Sequence, residues 1–132
     1  MTHIERVSAH YAASAKGDLD GMMADFAPDI EWVEAAGSPL AGTYQGRAEI
    51  AGRVFSVIAE EWEGFGMVPD ELLEQGDTVI ALGRYVGRHR VTGSHLDART
   101  VHIWRLTETH ITGFEQVADT LLIVRAAGPE TR

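Results

Sequence analysis

Residues 78–118, TVIALGRYVGRHRVTGSHLDARTVHIWRLTETHITGFEQVA, decide the fold. Thr78 to Arg90 reads as a long strand of mixed character, and Val91-Thr92-Gly93-Ser94 as a turn cluster. His95 to Leu106 is a second strand, Thr107 to His110 a further turn, and Ile111 to Ala118 the last strand. Alternation places Thr100, His102, Trp104 and Leu106 on one face of the middle strand. Strands joined by turns this short predict an antiparallel meander. Upstream, Met67 to Leu73 is a weaker strand that closes on the tight turn Gln75-Gly76-Asp77.

The preceding half changes period. Ile4, Val7 and Tyr11 fall at helical spacing. Gly17 breaks that helix and Asp18 is placed to cap a second one, which buries Leu19, Met22, Met23 and Phe26 and stops at Pro28. Asp29 to Glu34 alternates as a short strand, with Ile30, Trp32 and Glu34 on one side. Ala35 to Gly46 contains four Gly or Pro residues and reads as a structured loop. A long helix is expected from Arg47 to Glu63, with Ile50, Val54, Val57, Ile58 and Trp62 as its stripe. After the meander comes a short apolar tail, Leu121 to Val124, and Gly128 to Arg132 reads as a frayed end. Helices followed by a meander predict an α+β class, in one domain spanning 1–132 with its core at about 4–124.

The chain has 132 residues, no cysteine, and 20 Asp plus Glu against 11 Lys plus Arg, a net charge of −9. The absence of cysteine excludes disulfides, thiolate metal sites and Cys nucleophiles. The acidic balance argues against nucleic acid, whose binders cluster Lys and Arg. No apolar run approaches the roughly 20 residues that span a bilayer, and Met1 to Arg6 lacks a signal peptide's apolar core. These features predict a cytoplasmic protein without a membrane partner. The six histidines (3, 10, 89, 95, 102 and 110) include no i, i+4 pair, so no metal is expected. Phosphate-loop and nucleophile-elbow motifs are absent too.

Acid–base chemistry therefore falls to carboxylate, imidazole and phenol. Glu34 shares a face with Ile30 and Trp32, and burial there would raise its pKa toward neutrality; the competing reading is a solvated carboxylate at a strand end. His102 lies on the face of Trp104 and Leu106, either to meet a ligand or as a core histidine bonded to a carbonyl. Tyr11 is on the helical stripe, for packing or for offering its hydroxyl to a cavity. His10 is off the centre of that stripe and is expected to be exposed. Asp119 is a second carboxylate candidate, or the cap of a short helix. Gln116 shares a face with Phe114 and Ala118 and is placed to touch a ligand. Trp32, Trp62 and Trp104 are candidate wall residues, with ordinary core packing as the alternative.

Several short motifs, in order, resemble the nuclear transport factor 2-like superfamily, which includes ketosteroid isomerases, SnoaL-like polyketide cyclases and limonene epoxide hydrolase. They are Tyr11-Ala12-Ala13-Ser14-Ala15-Lys16-Gly17-Asp18-Leu19-Asp20-Gly21, Phe26-Ala27-Pro28-Asp29, Gly42-Thr43-Tyr44-Gln45-Gly46, His102-Ile103-Trp104-Arg105-Leu106, and Phe114-Glu115-Gln116-Val117-Ala118-Asp119-Thr120. The resemblance implies a cone: a curved, mostly antiparallel sheet wrapped around N-terminal helices, a cystatin-like α+β barrel with an apolar cavity. It puts Glu34 where ketosteroid isomerases carry their general base, an Asp. His10 falls at the position of their oxyanion-hole tyrosine, with Tyr11 one residue further on, and His102 at the position of their second donor, a protonated Asp. The charged trio of limonene epoxide hydrolase is not matched, its positions falling on Gly83, Tyr85 and Gln116. In the cone, Phe114, Gln116 and Ala118 should line the cavity and Asp119 should turn away from it.

Two functions follow as expectations. One is a cofactor-independent isomerase or cyclase acting on a steroid- or polyketide-like ketone or enone, with Glu34 as base and His102 or Tyr11 as oxyanion donors. The other is a non-catalytic domain of the same fold that binds a small apolar ligand or a partner. Val101 and Ile103 make the far face of the His102 strand apolar as well, which predicts a homodimer.

Overall fold

The computed structural model describes residues 1–128; the end expected to fray therefore lies, apart from Gly128, outside the described residues. Helix α1 (His3–Ala15) starts at a capping box: Thr2 Oγ1 accepts from the Glu5 amide, while Glu5 accepts from the Thr2 amide. It stops at Gly17, whose φ of 70° lets the Gly17 and Asp18 amides turn back onto Ser14 and Ala13. Asp18 then caps α2 (Leu19–Met22) through the Gly21 amide.

Here the structure departs from the sequence reading. The second helix is a single turn, and strand β1 (Phe26–Glu34) already begins at Phe26. Pro28 sits inside β1, where the pairing register slips between Phe26 and Glu31 and no ladder amide is needed from it. The loop before the long helix contains a short strand, β2 (Gly42–Gln45), paired antiparallel with β1. The long helix is three segments: α3 (Arg47–Ile50), a π-helical turn (Ala51–Phe55) and α4 (Ser56–Glu61). It ends two residues early because Trp62 opens strand β3 (Trp62–Gln75).

Strands β4 (Thr78–His89), β5 (His95–Leu106) and β6 (Ile111–Ala118) form the expected meander, and α5 (Thr120–Ala127) follows. The six strands run in the order β2-β1-β6-β5-β4-β3, antiparallel except for β1 beside β6. This is the α+β cone: a mixed curved sheet with the N-terminal helices against its inner face. The register lines up Val79, Trp104, Phe114 and Trp32 across four strands, and beside them Ala81, His102 and Gln116. The first row is core, packed against Val7, Ile30, Ile50 and Val54. In the second row Ala81 on β4 is buried in the core, while His102 on β5 and Gln116 on β6 face a hollow.

Candidate functional site

That hollow is a cavity of about 760 Å³. Its lining joins α1 (His10, Tyr11), β1 (Trp32, Glu34), the broken helix (Phe55, Ile58), β3 (Trp62, Phe65, Met67), β4 (Tyr85), β5 (His102) and β6 (Phe114, Gln116). The walls are largely aromatic and aliphatic. Trp32 and Phe114 stack at 3.7 Å, and Phe55 stands edge-on to Trp32.

Glu34 is only 6% exposed. Trp32 Nε1 donates to its Oε2 at 2.9 Å, and Oε1 has no partner among the described residues. Burial pushes the carboxyl up to about 7, against the smaller opposing pull of the Trp32 hydrogen bond. Near neutral pH both its acid and its base forms are then populated.

His102 has both ring nitrogens engaged. Tyr11 Oη lies 2.7 Å from Nδ1 and Tyr85 Oη 2.6 Å from Nε2. Trp104 Nε1 donates to Tyr11 Oη at 2.9 Å, and Gln116 Nε2 donates to Tyr85 Oη at 2.8 Å. The Ala35 amide donates to Gln116 Oε1, fixing which way that amide points. Burial, and then the neighbouring His10, hold His102 down at about 3, so the ring is neutral. Burial pushes both tyrosine hydroxyls well above their ordinary value; for Tyr85 the Glu34 charge adds to this. The chain Trp104–Tyr11–His102–Tyr85–Gln116 is thus a continuous run of neutral groups that borders the cavity.

The structure brings Glu34, His102, Tyr11, His10, Trp32, Trp62, Phe114 and Gln116 to one cavity. His10, expected to be exposed, is buried: its Nδ1 bonds the Met22 carbonyl at 2.9 Å and its ring stacks on Phe26. The apolar stripe of α1 is wider than its three marker residues because the helix is covered by both α2 and the sheet. Trp104 is not a wall residue. It is fully buried, packs edge-on against His10 and Phe114 from behind, and donates its indole N–H to Tyr11. Ala118 packs against the smaller core cluster around Trp62, Leu96 and Ile123 and is not part of the cavity lining. Asp119 is exposed and accepts from the Leu122 amide at the start of α5; the helix end claims it, and it does not reach the cavity. His102 was expected to donate to a ligand, but two tyrosines occupy its nitrogens. Tyr85 was missed; its alternation with Val79, Ala81 and Gly83 on β4 was the available signal. No group of three or more His, Asp or Glu among the described residues could hold a metal ion, and no described helix is long and apolar enough to cross a membrane.

With this geometry in place, comparisons place the chain among known proteins. The SnoaL-like domain family matches residues 7–114. An NTF2-like protein from Burkholderia thailandensis E264 is 47% identical, with a TM-score of 0.92, over 98% of this chain and 99% of that one. TerC, co-crystallised with polyporic acid, is 28% identical with a TM-score of 0.86, over 95% and 97%. A protein of ketosteroid isomerase-like fold from Catenulispora acidiphila DSM 44928, in complex with trimethylamine, shares the fold at 20% identity and a TM-score of 0.83, over 96% and 95%. No curated protein matches.

Proposed function

The chain belongs to the SnoaL-like domain family, and from that membership we propose that it is a cofactor-independent isomerase or cyclase acting on a steroid- or polyketide-like ketone or enone. The observation that carries this is Glu34: a buried carboxyl with one free oxygen, on the wall of an apolar cavity that also holds phenolic donors. Glu34 Oε1 takes the proton alpha to the ligand carbonyl, and the oxygen of the resulting enolate accepts a hydrogen bond from Tyr11 or Tyr85. His102 positions those hydroxyls and, with both nitrogens taken by them, makes no hydrogen bond to the ligand. Glu34 then returns the proton at another carbon; in the cyclase case the alpha carbon attacks a second carbonyl of the same ligand, whose C=O π bond opens, and Glu34 returns the proton to the alkoxide so formed. The aromatic walls supply area for a flat apolar body. That the related TerC was co-crystallised with polyporic acid supports a small organic ligand for a protein of this kind.

Turnover of enones, steroid ketones and polyketide-like ketones by the wild type and by Glu34→Gln tests the reading. Loss of at least two to three orders of magnitude in kcat, with ligand binding retained, is expected. Equal rates remove Glu34 as base. Tight binding with no turnover by the wild type leaves the non-catalytic binding domain in its place. We also propose a homodimer formed through the outer face of the sheet, where the register sets Ile80 beside Ile103, and Leu82, Val101 and Val117 in a row.

A further inference from the structure

Counting protons around the cavity says what a ligand must offer. A neutral imidazole has one N–H and one lone pair. In the chain Trp104–Tyr11–His102–Tyr85–Gln116, the indole and the amide are donors at the two ends. The two inner bonds to His102 use two protons, while Tyr11, His102 and Tyr85 together carry three. If Tyr11 donates to Nδ1, then Nε2 donates to Tyr85 and the Tyr85 proton is left over. If Tyr85 donates to Nε2, the Tyr11 proton is left over. Either tautomer therefore leaves one phenolic proton outside the chain: that of Tyr11, beside the cavity, or that of Tyr85, which has the Thr100 hydroxyl as well as the cavity next to it.

His10 carries the opposite valence. Its Nδ1 faces the Met22 carbonyl, which can only accept, so the proton is on Nδ1 and Nε2 is a bare lone pair. His10 is 6% exposed, lines the cavity, and its Nε2 has no partner among the described residues; nor is it among the fully occluded unpartnered atoms.

We infer that His10 is a specificity-determining residue: its Nε2 accepts a hydrogen bond from a hydroxyl of the ligand, while the single leftover tyrosine proton goes to the ligand's carbonyl. The substrate class is thus a flat hydroxy-ketone, with one donor and one acceptor on an apolar frame. This deepens the ketone reading of the cavity and rests on it. A ligand without the hydroxyl leaves a buried lone pair unsatisfied, and one with a methyl ether there sets oxygen against nitrogen.

The test uses a hydroxy-acetylnaphthalene, its methyl ether and the parent acetylnaphthalene, with binding read by calorimetry and by quenching of cavity tryptophan fluorescence. The wild type is expected to bind the hydroxyl compound roughly tenfold or more tightly than the other two. The preference should disappear in His10→Phe, which keeps an aromatic ring against Phe26. Because that variant also loses the bond to Met22, a second readout is made on the unaltered protein. The ¹⁵N resonance of His10 Nε2 should start at a bare-nitrogen position and move on titration with the hydroxyl compound only. Equal affinities for the three probes, no binding of the hydroxyl compound, or an unmoved Nε2 resonance would overturn the inference. Glu34→Gln should keep the preference, so loss of turnover and loss of hydroxyl selection are separable failures.

Discussion

At the scale of single residues, Glu34 trades stability for a usable proton affinity. Its folded-state pKa is raised from 4.5 to about 7 by burial. The folded protein therefore holds that proton more tightly than the unfolded chain, and the stability linked to it is complete below about 4.5 and lost as pH rises through about 7. The loss is on the order of 3 kcal/mol on the alkaline side. Glu34→Gln keeps an acceptor for Trp32 and never ionises, so its Tm should exceed that of the wild type near pH ~8.5 and match it near pH ~4.5. Calorimetric scans at the two pH values check this, and an equal difference at both would contradict it. In turnover, the base must be ionised, so kcat/KM, which follows the free protein, should climb with pH through about 7 and level off. The histidines act in the other direction. His10 and His102 are held down at about 4 and about 3, chiefly by burial, so below their ordinary 6.5 the unfolded chain takes up protons first and stability falls with acid. Alternation alone placed Glu34 and His102 on inward faces. It gave no sign that both His102 nitrogens would be taken, because one partner comes from α1 and the other from four residues along a neighbouring strand's register.

Among the elements, β5 and β6 were legible to the residue because short turns separate them and their residues alternate between buried and less buried positions. Strand β3 is twice as long as its sequence suggests. It is the sheet edge, its exposed residues mix Val68 and Leu73 with Asp70, Glu71 and Glu74, and its register slips near Pro69, which together blur the alternation. Strand β2 was hidden in a Gly- and Pro-rich loop because only Tyr44 of its four residues is buried. The slip in β3 also explains Gly83 of β4. A Cβ built at Gly83 overlaps the carbonyl oxygen of Val68 and crowds the Met67 side chain at 2.7 Å. Backbone in a paired strand cannot step aside cheaply, so Gly83→Ala should cost about 1–3 kcal/mol. Gly52, in the π-helical turn, has nothing within 4 Å of the same construction. Gly52→Ala should therefore change stability by less than about 1 kcal/mol, in either direction. Urea melts of the two variants check the contrast, and equal losses would mean that the β3 edge yields.

The whole molecule sets its charge against its apolar outer sheet face. Ile80, Leu82, Val101, Ile103 and Val117 form one patch, with Val117 still half exposed, and the ion pairs Arg84–Asp97 and Arg99–Asp70 flank it. A two-fold axis through the centre of such a patch would lay like on like, hiding the apolar residues and leaving the charges on the rim. Association must also bring together two chains that each carry −9. That repulsion is long-ranged and salt screens it, while burial of the patch is short-ranged and nearly insensitive to salt. The proposed dimer should therefore tighten as ionic strength rises from about 0.01 M to about 0.15 M, across which the screening length falls from about 30 Å to about 8 Å. Sedimentation velocity across that range measures it. Val101→Glu, at the middle of the patch and on the strand face opposite the cavity, should give monomers at all salt concentrations while His102 and its two tyrosines keep their bonds. A wild type that sediments as a monomer throughout, or a dimer indifferent to Val101→Glu, would place the self-association surface elsewhere.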